Sequence, residues 1–246
     1  MQSTWVSFSL FFLLPIVVVG CGGDVNEELM IAVKAGKASV VERLLEKGAN
    51  VNMKTGEGGT SLIKSLSEGN NDIEAGRSLL MVAAEQGYED TSKALLHRGA
   101  DLNLKTGDGL TALMLAARGG HIGTVKLLIT QEAELGDRDH AGKTAVIYAA
   151  ESGENEIVKF LLDKGEDINS STGDGASILM HAAESGQSET VKLLLELGAD
   201  VNVKTKAGRT ALIGSSWRGH TETVRLLIGK GAGVNVNVNV PANPSI

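Results

Sequence analysis

Self-similarity at a fixed step of 33 residues runs through this 246-residue chain. It leaves few folds to choose from. A unit of that size cannot bury its own apolar face and must stack on its neighbours. Blocks of the Gly-Ala-x-x-Asn type begin at Gly48, Gly99, Glu132, Gly165, Gly198 and Gly231; the last four intervals are 33 residues and the first is 51. A second marker keeps the same step, with Ser78, Thr111, Thr144, Ser177 and Thr210 opening similar segments. Counting those residues as position 0, position +9 is Gly36, Gly87, Gly120, Gly153, Gly186 and Gly219. Position +17 is Leu44, Leu95, Leu128, Leu161, Leu194 and Leu227.

Each unit reads as two helices and a hairpin. Thr111 suits an N-cap, its hydroxyl accepting a backbone N–H at the start of the helix. Leu113, Ala116 and Ala117 then share one face at helical spacing. Gly120 suits the left-handed position after a helix, where a side chain costs about 1–2 kcal/mol. A second helix follows with Val125, Leu128 and Ile129 inward, and polar, Gly-rich stretches such as Lys105–Gly109 make the turn. The alanine pairs Ala83-Ala84, Ala149-Ala150 and Ala182-Ala183 let neighbouring first helices approach closely. The period of 33, the Thr-Ala-Leu-Met-x-Ala-Ala stretch from Thr111, Gly120-His121, Gly219-His220 and Gly198-Ala199-Asp200-Val201-Asn202 resemble ankyrin repeats. Ala stands where that family usually has Pro, and Met or Ile where it usually has His. The resemblance implies an all-α solenoid of about six repeats over residues 27–233, starting near 27, 78, 111, 144, 177 and 210.

Two stretches break the period. An 18-residue excess lies within 53–77, where Thr60 to about Gly69 reads as a degenerate first helix; a functional finger and a neutral insertion are both open readings. The tail 234–246 opens with Val-Asn alternation, which suits an edge strand or low-complexity drift.

Residues 1–20 contain no Lys, Arg, Asp or Glu, and Val6–Val19 is nearly all apolar. That run is short for a membrane span of about 20 residues. It fits the core of a secretory signal. Val18-Val19-Gly20-Cys21 resembles a bacterial lipobox, which implies a signal peptide over 1–20 and a lipid on Cys21, the only cysteine. Residues 21–26 would tether the array at the outer membrane, facing the periplasm, as part of the bacterial cell envelope. The other reading is an uncleaved anchor on a cytosolic or inner-membrane adaptor, favoured by the absence of a basic residue in Met1–Trp5.

Chemistry is scarce. A net charge of −7 argues against nucleic-acid binding. The five histidines show no metal-ligand spacing, and no nucleophile–base motif or phosphate loop occurs, so neither an enzyme nor a cofactor nor a small-molecule substrate is expected. His121 and His220 share one repeat position and read as corner residues; Tyr148 and His181 read as packing residues. What remains is a surface. The resemblance implies a monomer that docks a protein partner on its concave side. Mapped onto this chain, the first-helix positions are Glu85, Gln86, Arg118, Glu151, Glu184, Trp217 and Arg218. The hairpin positions are Asp108, Leu110, His140, Lys143, Asp174, Lys206 and Arg209. Trp217 reads as an interface anchor or as a cover for the end of the stack. Charge is uneven: residues 132–199 carry a net −9 and residues 200–231 a net +4. Such an asymmetry can steer and orient a partner.

Overall fold

The computed structural model describes residues 24–55 and 76–234. Among the described residues twelve helices fall in pairs: α1 (Val25–Lys34) and α2 (Ala38–Glu46), α3 (Leu79–Glu85) and α4 (Glu89–His97), α5 (Ala112–Arg118) and α6 (Ile122–Thr130), α7 (Ala145–Ser152) and α8 (Asn155–Asp163), α9 (Ile178–Glu184) and α10 (Ser188–Glu196), α11 (Ala211–Trp217) and α12 (Thr221–Gly229). The odd-numbered helices pack consecutively into an inner row and the even-numbered ones into an outer row. No strand forms among the described residues, only the isolated bridges Lys54–Ser78 and Ser171–Ser177. The expected all-α solenoid is the fold observed.

The reason lies in the repeat itself. Ser78, Thr111, Ser177 and Thr210 each accept a hydrogen bond from the backbone N–H three residues on, at 3.2, 3.3, 3.4 and 3.3 Å, satisfying a donor that the helix leaves open. Thr144 starts α7 without that bond. The +9 glycines stop each inner helix and turn the chain back; Gly120 has φ +77°, a region costly for a side chain. The alanine pairs are fully buried where inner helices meet. Leu44, Leu95, Leu128, Leu161, Leu194 and Leu227 fill the space between the two rows. Of the expected inward residues of α6, Val125 and Leu128 are buried and Ile129 is half-buried.

Two hydrogen-bond series join repeat to repeat. At position +10, His121 Nε2 bonds Glu85 O at 2.9 Å, Gln187 Nε2 donates to Glu151 O at 3.0 Å, and His220 Nε2 bonds Glu184 O at 3.0 Å. The corner reading of His121 and His220 therefore has a physical content: each occupies an otherwise open carbonyl at the end of the preceding inner helix. In the turn after the outer helices, Asn52 Oδ1 accepts from Asp101 N at 2.8 Å and Asn202 Oδ1 from Gly233 N at 3.0 Å.

All but one of the described fingers share one closing pattern; in the remaining one Ala176 N donates to Asp174 Oδ1 and not to the side chain of Thr172. Thr106 N donates to Leu110 O, Gly109 N to Thr106 O, and Leu110 N to the Thr106 hydroxyl. Thr55, Gly76 and Arg77 repeat that pattern bond for bond. The 18-residue excess thus enters at the tip of the first finger: residues 56–75 replace the pair Gly107-Asp108, and the frame on either side is undisturbed. The degenerate helix expected from Thr60 lies outside the described residues. So do the signal segment, Cys21 and the Val-Asn run beyond Val234.

Candidate functional site

The inner helices and the fingers in front of them carry the side chains expected to meet a partner. Position +7, the last turn of each inner helix, holds Glu85, Arg118, Glu151, Glu184 and Trp217. Position −1, at the base of each finger, holds Arg77, Leu110, Lys143, Ala176 and Arg209. These two columns face each other along the array, and each charged side chain in them is paired internally, leaving Trp217 as the one +7 residue outside the pairing.

Glu85 lies between Arg77 of its own repeat and Arg118 of the next, the latter at 2.7 Å. The Arg118 guanidinium sits 5.9 Å above the ring of Tyr148, and the Lys143 ammonium 5.4 Å from that ring. The Tyr148 hydroxyl donates to Asp139 Oδ2 at 2.6 Å. Lys143 Nζ reaches both Glu151 oxygens, at 2.7 and 2.9 Å, and His181 Nδ1 lies 2.8 Å from Glu151 Oε1. Arg209 reaches back to Glu184 at 2.6 Å. The Glu184 side chain occupies the space left open by Gly214, where an added Cβ would meet it at 2.5 Å.

The electrostatics follow from this crowding. Burial pushes the Glu151 carboxyl up, but hydrogen bonds from His181 and Lys143 outweigh it, and the group settles below its ordinary value. Burial, with the hydrogen bond to Asp139 second, holds the Tyr148 phenol protonated well above its usual range. Neither group is poised for proton transfer near neutral pH. Tyr148 and His181 are half-buried members of this polar network, a more specific role than packing alone.

The expected contact residues therefore divide. Glu85, Arg118, Glu151, Glu184, Lys143 and Arg209 are half-buried and paired with one another or with neighbours. Asp174 is exposed but accepts from the Thr172 hydroxyl at 2.6 Å, the main reason its carboxyl sits below the ordinary value. Lys206 is exposed with its ammonium 2.7 Å from Gly173 O. Leu110 is a correction. It is only 6 % exposed and packs into the array, because position −1 lies below the finger tip and its side chain turns inward. Gln86, Asp108, His140, Trp217 and Arg218 are exposed and make no side-chain hydrogen bond or ion pair within the described residues.

Trp217 stands apart in that group. It is 59 % exposed, at the position where the preceding repeats place Glu or Arg. Arg218 follows it in the same exposed turn. Sequence reasoning missed Arg77, Asp139, Tyr148 and His181 as partners of the charged column. Opposite charges recurring at −1 and +7 were the available signal. No group of three or more possible metal ligands comes together among the described residues, and no helix there is long and apolar enough to cross a membrane.

Compared with known families, the chain matches the one described as "Ankyrin repeats (3 copies)" in three overlapping stretches, residues 29–106, 80–172 and 166–239. No curated protein matches it.

Proposed function

The chain belongs to the ankyrin-repeat family, whose repeats mediate protein–protein binding, and from that premise we propose that it is a membrane-tethered, non-enzymatic module that captures one protein partner on its inner face. The reading rests on one observation: Trp217 is exposed and unengaged in a row whose other large polar side chains are satisfied by one another. A side chain that already has its partner must lose it before binding another, whereas an exposed Trp beside an Arg gains contact without that loss. Binding therefore concentrates at the last turn of α11, where Trp217 and Arg218 stand exposed. The partner would be scaffolded or restrained by a preformed surface, with no bond made or broken.

The address is the second half of the proposal. The Val18-Val19-Gly20-Cys21 segment supports a lipid-anchored protein of the bacterial cell envelope, at the periplasmic side of the outer membrane. Acyl chains on Cys21 would supply about 0.8 kcal/mol per buried methylene, and two or more chains hold stably. The competing reading, an uncleaved anchor on an inner-membrane or cytosolic adaptor, draws on the lack of a basic residue before Val6.

Two experiments test this. Envelope proteins captured by the chain starting after Cys21 are compared for wild type, Trp217→Ala and Arg218→Ala. Loss of one specific protein in the variants is expected, and undiminished capture in both removes the mapped face. Detergent partitioning of full-length wild type against Cys21→Ser then decides the anchor. Equal partitioning without processing contradicts lipidation.

A further inference from the structure

Among the described residues five joints hold the six repeats together, and four of them carry a hydrogen bond from one or both of the series that run along the array. At the back turns, an asparagine of one repeat accepts from the backbone of the next: Asn52 from Asp101 N at 2.8 Å, Asn169 from Asp200 N at 3.3 Å and Asn202 from Gly233 N at 3.0 Å. At position +10, His121, Gln187 and His220 bond the open carbonyls of Glu85, Glu151 and Glu184. The first joint has the asparagine, the second has the histidine, and the fourth and fifth have both kinds of bond. The third joint, between repeats three and four, has neither.

Each loss has a residue behind it. Gly136 stands where Asn52, Asn169 and Asn202 stand in their repeats and has no side chain to offer. Glu154 stands at position +10. Its carboxylate lies over Gly120 as His121 lies over Gly87, Gln187 over Gly153 and His220 over Gly186. The side chain is in the bonding place, but a carboxylate accepts and does not donate, and the Arg118 carbonyl at the end of α5 also accepts. Two further features weaken the same place. Glu132, in the turn that ends repeat three, has φ +66° where Gly48, Gly99, Gly165, Gly198 and Gly231 stand in the other repeats, a backbone region that disfavours a side chain. Thr144, the first residue of repeat four, makes no cap bond, and its buried hydroxyl has no partner among the described residues.

What does cross this joint lies on its inner and finger sides or stands in water. Ala116, Ala117, Ala149 and Ala150 are fully buried in the inner row, and His140 N donates to Asp108 O at 2.9 Å between fingers. Between the outer helices α6 and α8, Lys126 meets Glu156 at 3.1 Å with both ends exposed, and its ammonium lies 5.8 Å from the Phe160 ring. An exposed pair of this kind contributes little.

We propose that the array is hinged at the third joint: repeats one to three and repeats four to six move as two stacks, pivoting where α5 packs on α7 and opening where α6 faces α8. The half that carries Trp217 reorients as a unit against the half nearer the N-terminus.

The spread of distances across two joints tests this, read by pulsed electron paramagnetic resonance on the full chain with Cys21→Ser. Spin labels on Thr130→Cys and Asp163→Cys span the third joint, and labels on Asp163→Cys and Glu196→Cys span the fourth at the same repeat position. The third joint should show a long-distance population that the fourth lacks. Glu154→Gln supplies the donor that Gln187 supplies one repeat on, and Gly136→Asn supplies the missing acceptor in a place with open space for a side chain. Each should cut the long-distance population about fivefold, the net worth of one hydrogen bond. Equal spreads at the two joints overturn the proposal. So does a spread at the third joint that neither substitution narrows.

Discussion

The inner helices of repeats two to five and the inner helix of repeat six stand on the same frame but present different surfaces. In the middle of the array, Glu85, Glu151 and Glu184 each draw a base from a finger or from the next helix, and Tyr148 and His181 fill the gaps. At the end, Trp217 and Arg218 occupy the corresponding turn with no such engagement. The difference teaches that charge count is a poor guide to where a repeat array binds. The middle is the more charged stretch, yet its charges are directed at each other and serve cohesion between repeats. The end carries less and has more of it to offer.

The largest effect expected from this contrast is on binding. Trp217→Ala should weaken partner affinity by about 2 kcal/mol or more, roughly 30-fold in Kd, while Glu184→Gln changes it little; titration calorimetry with the captured partner reads both. Equal losses would erase the distinction between the two regions.

Stability should show the reverse order. Glu151→Ala strips Lys143 and His181 of a shared acceptor in a half-buried setting and should cost about 1–3 kcal/mol, measured by urea unfolding, with Trp217→Ala nearly neutral. The contribution of Glu151 also has a pH signature. Its carboxyl is held below the ordinary value of 4.5, so this stability is complete above about that pH and fades as the solution is acidified through the lower, folded value. In Glu151→Gln that part of the acid dependence should be missing.

A smaller effect has the opposite sign. Glu166 occupies the place of Ala49, Ala100, Ala133, Ala199 and Ala232. Burial raises its pKa, and one carboxylate oxygen has no partner. Glu166→Ala should stabilise the array by up to about 1 kcal/mol, reduced by the solvent that still reaches the group, and thermal unfolding at neutral pH reads it. The smallest effect belongs to the outer row. Arg98 and Glu46 pair at 2.8 Å but stand largely in water, so Arg98→Ala should change stability by no more than about 0.5 kcal/mol.

The fold was legible because its determinants are local and repeated. A Ser or Thr cap, a glycine nine positions on and a leucine seventeen positions on recur with the same meaning in each unit. The inner-face network was not legible to the same degree. Arg118 meets Glu85 and Arg209 meets Glu184 across repeat boundaries, and which of two available acids a long basic side chain selects depends on how far one repeat is rotated from the next. Leu110 was misplaced for a related reason. A finger residue near the tip in sequence can point back into the array, and the Arg, Lys, Leu and Ala that alternate at that position give no single polarity to read. Trp217 was easier, since a lone large aromatic in a charged column is visible without coordinates.

The central claim is that recognition resides at the C-terminal end of the inner face. Hydrogen exchange of the chain with and without its captured partner tests it most directly. Protection gathered in residues 205–218 is the predicted footprint. Protection confined to the outer helices α4, α6, α8 and α10, with 205–218 exchanging as in the free chain, would contradict it.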